Sequence, residues 1–236
     1  MNATWDLVDE TARLYRATYA FGYGGSATAV LFGLGDDELA LMSPPGGWLA
    51  PALFDAIPEL GRVTALVAPN GFHRIGLPEA RRRYPEAPVF APRAALKRVG
   101  KVVDGPRALE GLGPLLPEGV ELRELPGMKR PDTFLRVQAG QGPAWYLNDV
   151  VTNLQALPEG AMGLLLDAMG FREGLALNTF GCRWITKARP ELAQWLLSEL
   201  RNQPPALVLA GHGPVESRPQ VLARLPGILQ PLAGGS

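Results

Sequence analysis

Thr64-Ala65-Leu66-Val67 is an apolar run that breaks at Pro69-Asn70-Gly71 and presents a histidine, His73, before a proline-led helix. No other stretch narrows the fold as far. The run from Val63 to Val67 suits a strand buried on both faces, Pro69 cannot donate to its hydrogen-bond ladder, and Asn70-Gly71 favours a turn. Pro78 then fits the first turn of a helix running through Glu79-Ala80-Arg81-Arg82-Arg83-Tyr84, where a missing N–H breaks no helical bond. A buried strand feeding a loop and then a helix is the unit of a layered α/β protein, and such proteins place their sites at the carboxyl ends of the strands.

The chain holds only two histidines, and the second follows the same pattern: Leu207-Val208-Leu209-Ala210 runs into Gly211-His212-Gly213-Pro214. Glycines on both sides let the backbone bend tightly and leave the imidazole uncrowded. A third polar residue at a strand end is Asp149, in Ala144-Trp145-Tyr146-Leu147-Asn148-Asp149-Val150-Val151-Thr152-Asn153. Taken singly each is ordinary, because a lone histidine is more often structural and an aspartate closing a strand is often a turn former. Together His73, Asp149 and His212 make a donor set that zinc and first-row metals accept, provided the fold brings them to one place.

With 236 residues and 47% hydrophobic content the chain can bury one large core. Lys plus Arg equals Asp plus Glu at 23 each, so no net field gathers nucleic acid or an anionic membrane. A small-molecule substrate or ligand is expected instead, and a homo-oligomer is left open. Arg81-Arg82-Arg83 reads as a solvated helix face. The single cysteine, Cys182, excludes an internal disulfide and a cysteine-rich zinc site, and reads as a small buried hydrophobe. A reducing, cytoplasmic location follows as an expectation: no run nears the roughly eighteen apolar residues of a membrane span, and Met1-Asn2-Ala3-Thr4-Trp5-Asp6 has neither basic nor apolar leader character.

Along the chain, Arg13 to Phe21 and Ser26 to Phe32 read as a hairpin around Gly22-Tyr23-Gly24-Gly25, followed by a strand from Glu38 to Met42 and a helix from Ala52 to Leu60. After the Val63 to Val67 strand and its helix come a short strand Pro88-Val89-Phe90 and a helical Arg93 to Arg98. The Pro/Gly-rich passage from Gly105 to Gly119 receives no element. A second β-rich group follows at Val120 to Leu125, Thr133 to Val137 and Ala144 to Leu147. Helical spacing puts Leu192, Trp195, Leu196 and Leu200 on one face, which predicts Leu192 and Trp195 against a sheet and Glu191, Gln194 and Glu199 in water. The chain closes with an amphipathic Val221 to Leu229.

This order of pieces resembles the metallo-β-lactamase superfamily over nearly the whole chain. Ser43-Pro44-Pro45, Val67-Ala68-Pro69-Asn70-x-Phe72-His73 and Leu147-Asn148-Asp149-Val150-Val151-x-Asn153 are similar to an uncharacterised branch of it. The resemblance implies one domain over residues 1–236, folded as a four-layer αββα sandwich with metals along one sheet edge. The family's first loop carries His-x-His-x-Asp-His. With His73 as its last member, Ala68, Asn70 and Phe72 stand where two histidines and an aspartate would be. Met128, in Leu125-Pro126-Gly127-Met128, replaces the third-loop histidine, and Ser43 replaces an early acid. His73, Asp149 and His212 then correspond to ligands of the second metal position alone, which implies at most one ion, zinc, iron or manganese, or none.

Three functions follow as alternatives. The first is a hydrolase-like protein with one divalent ion on His73, Asp149 and His212, acting on an ester, thioester or phosphoester, with Asp149 and Asn70 as the catalytic candidates and Asn70 orienting substrate or water. The second is a metal-free relative, a pseudoenzyme binding a small molecule or protein partner in the former cleft; Phe72 favours it by removing charge from the site. The third uses a His73–Asp149 pair to activate Ser43.

Overall fold

A computed structural model describes residues 4–21, 25–48, 50–157 and 159–234. The expected Gly22-Tyr23-Gly24 turn and residues 1–3 lie outside these. Strands β1 (Asp6–Asp9), β2 (Leu14–Phe21), β3 (Gly25–Gly33), β4 (Glu38–Met42), β5 (Arg62–Val67), β6 (Val89–Ala91) and β7 (Arg107–Ala108) form one sheet in that order. Its pairings are antiparallel up to β4 and parallel from there on. A change to parallel pairing needs crossovers, and α1 (Ala50–Ala56), α2 (Leu77–Arg83) and α3 (Leu96–Val99) lie in these connections.

The second half repeats the plan with fewer strands. β8 (Val120–Glu124), β9 (Thr133–Ala139) and β10 (Gly142–Tyr146) make an antiparallel meander. β11 (Val151–Leu154) pairs with β12 (Gly174–Leu177) as a separate ribbon, and β13 (Leu207–Leu209) adds to β10 in parallel. Helices α4 (Ala161–Ala168), α5 (Thr179–Ile185), α6 (Arg189–Asn202), α7 (Pro219–Leu222) and α8 (Leu225–Leu229) complete this half.

Alternation along the strands sorts side chains into layers. Val30, Phe32, Met42 and Val67 from the first sheet meet Leu135, Val137, Tyr146 and Leu209 from the second in the central core. On the first sheet's outer face Leu31, Leu41 and Leu66 pack against Phe54, Leu77, Ala80 and Val99. On the second sheet's outer face Phe134, Trp145 and Val208 pack against Cys182, Leu192, Leu196 and Leu225. The result is the expected four layers, αββα. Among the described residues no helix is long and apolar enough to cross a membrane.

Leu192 is fully buried and Trp195 meets Phe134 edge to face at 5.1 Å, as the helical spacing requires. Glu199 departs from expectation: it is only 9% exposed and pairs with Arg123 and Arg136. It stands three residues beyond Leu196 on the same stripe, over a stretch of sheet that presents guanidinium groups rather than aliphatic ones. The unassigned Gly105–Gly119 passage holds β7 and a 3-10 turn, Leu109–Leu115, whose Leu109 and Leu112 are buried in the central core.

Candidate metal centre

Each donor sits just past a strand end, and the three strands concerned open toward one edge: β5 leads to His73, β10 to Asp149 and β13 to His212. Asp149 Oδ1 lies 3.1 Å from His73 Nε2 and 3.3 Å from His212 Nε2. One donor atom from each residue falls within 4.8 Å of the others. The three face a small cavity of about 150 Å³, walled also by Tyr19, Phe72 and Ile75.

The His73 loop is shaped by side chains. Asn70 Oδ1 accepts from the N–H groups of Phe72 (2.7 Å) and His73 (3.0 Å), while its amide nitrogen donates to Asp149 Oδ2 at 2.7 Å. One amide thus folds the loop and aims the carboxylate. Thr133 Oγ1 donates to the Pro69 carbonyl, and Ser43 Oγ lies 2.9 Å from His73 Nδ1. Ser43 holds a left-handed φ of 53°, a strained conformation for a non-glycine residue. Its hydroxyl is also 3.3 Å from that of Tyr19, whose own acidity burial weakens, pushing the pKa up to about 12.

The His212 loop is shaped mainly by backbone. His212 Nδ1 lies 2.6 Å from the Ser26 carbonyl oxygen, the Thr28 N–H donates to the Gly211 carbonyl, and the Gly211 N–H donates to that of Asn148. Gly213 has φ of 109°, and a Cβ there would fall 1.8 Å from the Asn153 carbonyl oxygen. Only glycine lets these segments approach so closely.

Beneath Asp149 lies Asp132, which the sequence reading missed. It is buried and accepts from Asn148 Nδ2 (2.8 Å), the Thr133 N–H (2.9 Å) and the Asp149 N–H (3.1 Å). Burial first, and the Asp149 charge second, push its pKa upward against those donors. Its one signal was position: an aspartate opening a strand rather than closing one. Asn148 itself is held at φ 23° and takes a hydrogen bond from the Tyr146 hydroxyl at 2.5 Å.

Protonation can be reasoned from partners. A carbonyl only accepts, so His212 Nδ1 carries a proton. In a neutral imidazole the lone pair of Nε2 then faces Asp149 Oδ1, and two acceptors confront each other. A second proton or a bound cation removes that conflict. Burial alone would raise the Asp149 pKa, but the charge of His73 and the hydrogen bonds from both imidazoles hold it below the usual carboxylate range. Burial likewise works to lower the His212 pKa, and is outweighed by the Asp149 hydrogen bond and charge, which raise it. The donors present, two imidazole nitrogens and a carboxylate oxygen converging with both Nδ1 atoms engaged elsewhere, fit a divalent ion.

Other expected residues fall as follows. Asn70 is 3% exposed and its amide nitrogen is in direct contact with the Asp149 carboxylate. Ser43, His73 and Asp149 do form a hydrogen-bonded chain, yet Ser43 is fully buried and beyond a substrate's reach. Met128 packs against the core of the second half. Cys182 is buried, and burial pushes its thiol up to about 12.

Solved structures decide the architecture. A metallo-β-lactamase from Pontibacter korlensis superposes with a TM-score of 0.60 over 96% of this chain and 99% of its own, at 15% identity. The protein has the metallo-β-lactamase fold. The metallo-β-lactamase FIM-1 from Pseudomonas aeruginosa, in a mono-zinc form, matches 94% of this chain and 92% of its own at 7% identity and a TM-score of 0.57. The metal-soaked Flv1 flavodiiron core from Synechocystis matches 93% of this chain and 58% of its own at 15% identity and 0.59. Identities this low mark a divergent member of the metallo-β-lactamase fold. No protein-family profile and no curated protein matches the sequence.

Proposed function

We propose that this protein is a metallo-β-lactamase-fold hydrolase with a single-ion centre on His73, Asp149 and His212, acting on an ester, thioester or phosphoester. The observation that carries the reading is the convergence of both Nε2 atoms on Asp149 Oδ1 while Ser43 and the Ser26 carbonyl occupy the two Nδ1 atoms. When bound, a divalent ion would acidify a coordinated water and polarise a substrate oxygen. One of the matched structures is a mono-zinc form, and the donors here suit zinc, iron or manganese. A second ion has no support: Ala68, Asn70 and Met128 occupy the places where the resemblance calls for its histidines.

The chain's own residues do the rest. Asn70 and Asp132 hold Asp149 from its far side, Ser43 fixes the ring of His73, and the Ser26 carbonyl fixes that of His212. Phe72 and Ile75 supply apolar walls that limit water in the cavity. Phe72 also favours the second reading, a metal-free binding cleft, since it puts an aromatic ring where the resemblance calls for an acid. Metal analysis of protein purified without chelator separates the two. Near-stoichiometric zinc, iron or manganese, lost in both His73→Ala and His212→Ala, together with metal-dependent hydrolysis across ester, thioester and phosphodiester substrates, is the expected result. Absence of binding at micromolar metal near neutral pH, in a folded protein, would leave the binding-cleft reading standing.

A further inference from the structure

Next to this centre runs a groove of about 410 Å³ lined by Arg74, Ala94, Lys97, Arg98 and Lys101. Its lining holds four cations and no acidic side chain, and among the described residues none of the four is ion-paired. In a chain whose charges balance at 23 of each sign, a groove lined by four cations and no carboxylate carries a local excess of positive charge. Like charges held side by side repel, and a cleft lined by one sign raises the local concentration of the opposite one.

The groove is built and not merely populated. Arg98 lies against Gly71, where an added Cβ would come within 2.8 Å of its Cδ, and its guanidinium stands 4.3 Å from the Phe72 ring centroid. Arg74 Nη1 reaches back to the Arg98 carbonyl at 3.4 Å, and the Arg130 guanidinium also rests on the Phe72 ring, at 5.2 Å. Phe72, on whose ring Arg98 rests, also walls the metal-centre cavity, so that ring joins the cationic groove to the edge that carries His73, Asp149 and His212.

We propose that this groove binds the phosphate group of a small organic substrate whose scissile bond lies on the other side of Phe72. A dianionic phosphate matches two guanidinium forks and two ammonium groups better than a carboxylate with one charge does. Placing that phosphate on the substrate rests on the hydrolase reading above; binding of phosphate in the groove does not.

The test uses the full chain after chelator treatment, titrated calorimetrically with phenyl phosphate, and with benzoate for comparison, at fixed ionic strength in chloride. Expected is saturable binding of phenyl phosphate, weaker for benzoate by tenfold or more, weakened at least tenfold in Lys97→Ala/Lys101→Ala and in Arg98→Gln, and unchanged in His212→Ala. All three replaced groups are exposed, so folding should survive. Equal binding by wild type and the groove variants, equal affinity for benzoate, or loss of binding in His212→Ala would each overturn the proposal. Capture of an RNA oligomer with the same variant dependence but without phenyl phosphate binding would overturn it too. Phenyl phosphate binding by a protein that takes up no metal would support the groove while removing the hydrolase reading.

Discussion

The two histidine loops reach the same point by opposite means. Around His73 the loop is held by side chains, Asn70, Ser43 and Thr133. Around His212 the anchors are carbonyl and amide groups of Ser26, Thr28 and Asn148, with glycines giving the clearance. A loop held by side chains can be dismantled one substitution at a time, whereas a loop held by backbone resists side-chain change everywhere except at its glycines.

The largest effect should come from attacking the backbone-held loop at its weak point. Gly213→Ala forces a Cβ into the Asn153 carbonyl at a φ of 109°, and a loss of about 2–4 kcal/mol is expected from denaturant unfolding. A loss under about 0.5 kcal/mol, the scale of a neutral surface change, would mean the segments have room to part.

Next in size, Asn70→Ala removes two loop bonds and the support of Asp149 together. It should destabilise by about 1–3 kcal/mol and weaken metal binding about 10–100-fold. Unchanged metal affinity in that variant would show that Asp149 keeps its place without the Asn70 bond.

A smaller, pH-dependent effect separates the imidazoles from any metal. In chelator-treated protein the raised His212 pKa makes the His212–Asp149 pair stabilising below the unfolded value near ~6.5, and that contribution fades as pH climbs through the folded value. The depressed Asp149 pKa gives the opposite edge: its contribution is present above the unfolded value near ~3.9 and is lost as pH falls through the folded one. The melting-temperature gap between wild type and His212→Gln should therefore be widest between about pH 4 and 6.5 and narrow above it, on a scale of about 1 kcal/mol. A gap that widens steadily toward pH 8.5 would reverse the assigned sign.

The smallest effect is expected from Ser26→Ala, because the bond from Ser26 to His212 uses the main-chain carbonyl, which the substitution keeps. Stability should stay within about 0.5 kcal/mol and metal affinity should not move. A tenfold loss of affinity would show that the side chain takes part.

This contrast also explains what could be read from the sequence. The backbone-held loop announced itself, since glycines flanking a histidine after an apolar run are a local signal, and β5, His73 and α2 were legible through Pro69, Asn70-Gly71 and Pro78. Asp132, the tyrosine hydroxyls behind Ser43 and the anchoring role of Asn70 were not, because each acts on residues far away in the chain. Asn70 and Asp149 meet across 79 positions. The β11–β12 ribbon escaped for a related reason: its strands are four residues each and are defined by pairing with one another rather than by any long alternation of their own. Glu199 misled because helical spacing identifies the buried stripe but not what the facing sheet offers it.

The bond between His212 and the Ser26 carbonyl joins residues 186 positions apart. Contacts of such separation are the slowest to close, since most of the chain must already be in order before they form. At a synthesis rate of about 5–20 residues per second, Ser26 would wait roughly ten seconds or more for its partner to emerge. An ion held by all three donors of the proposed centre would therefore arrive after the early steps of folding. Such an ion would seal a sandwich already assembled, and its uptake would serve as a clock for the completion of folding.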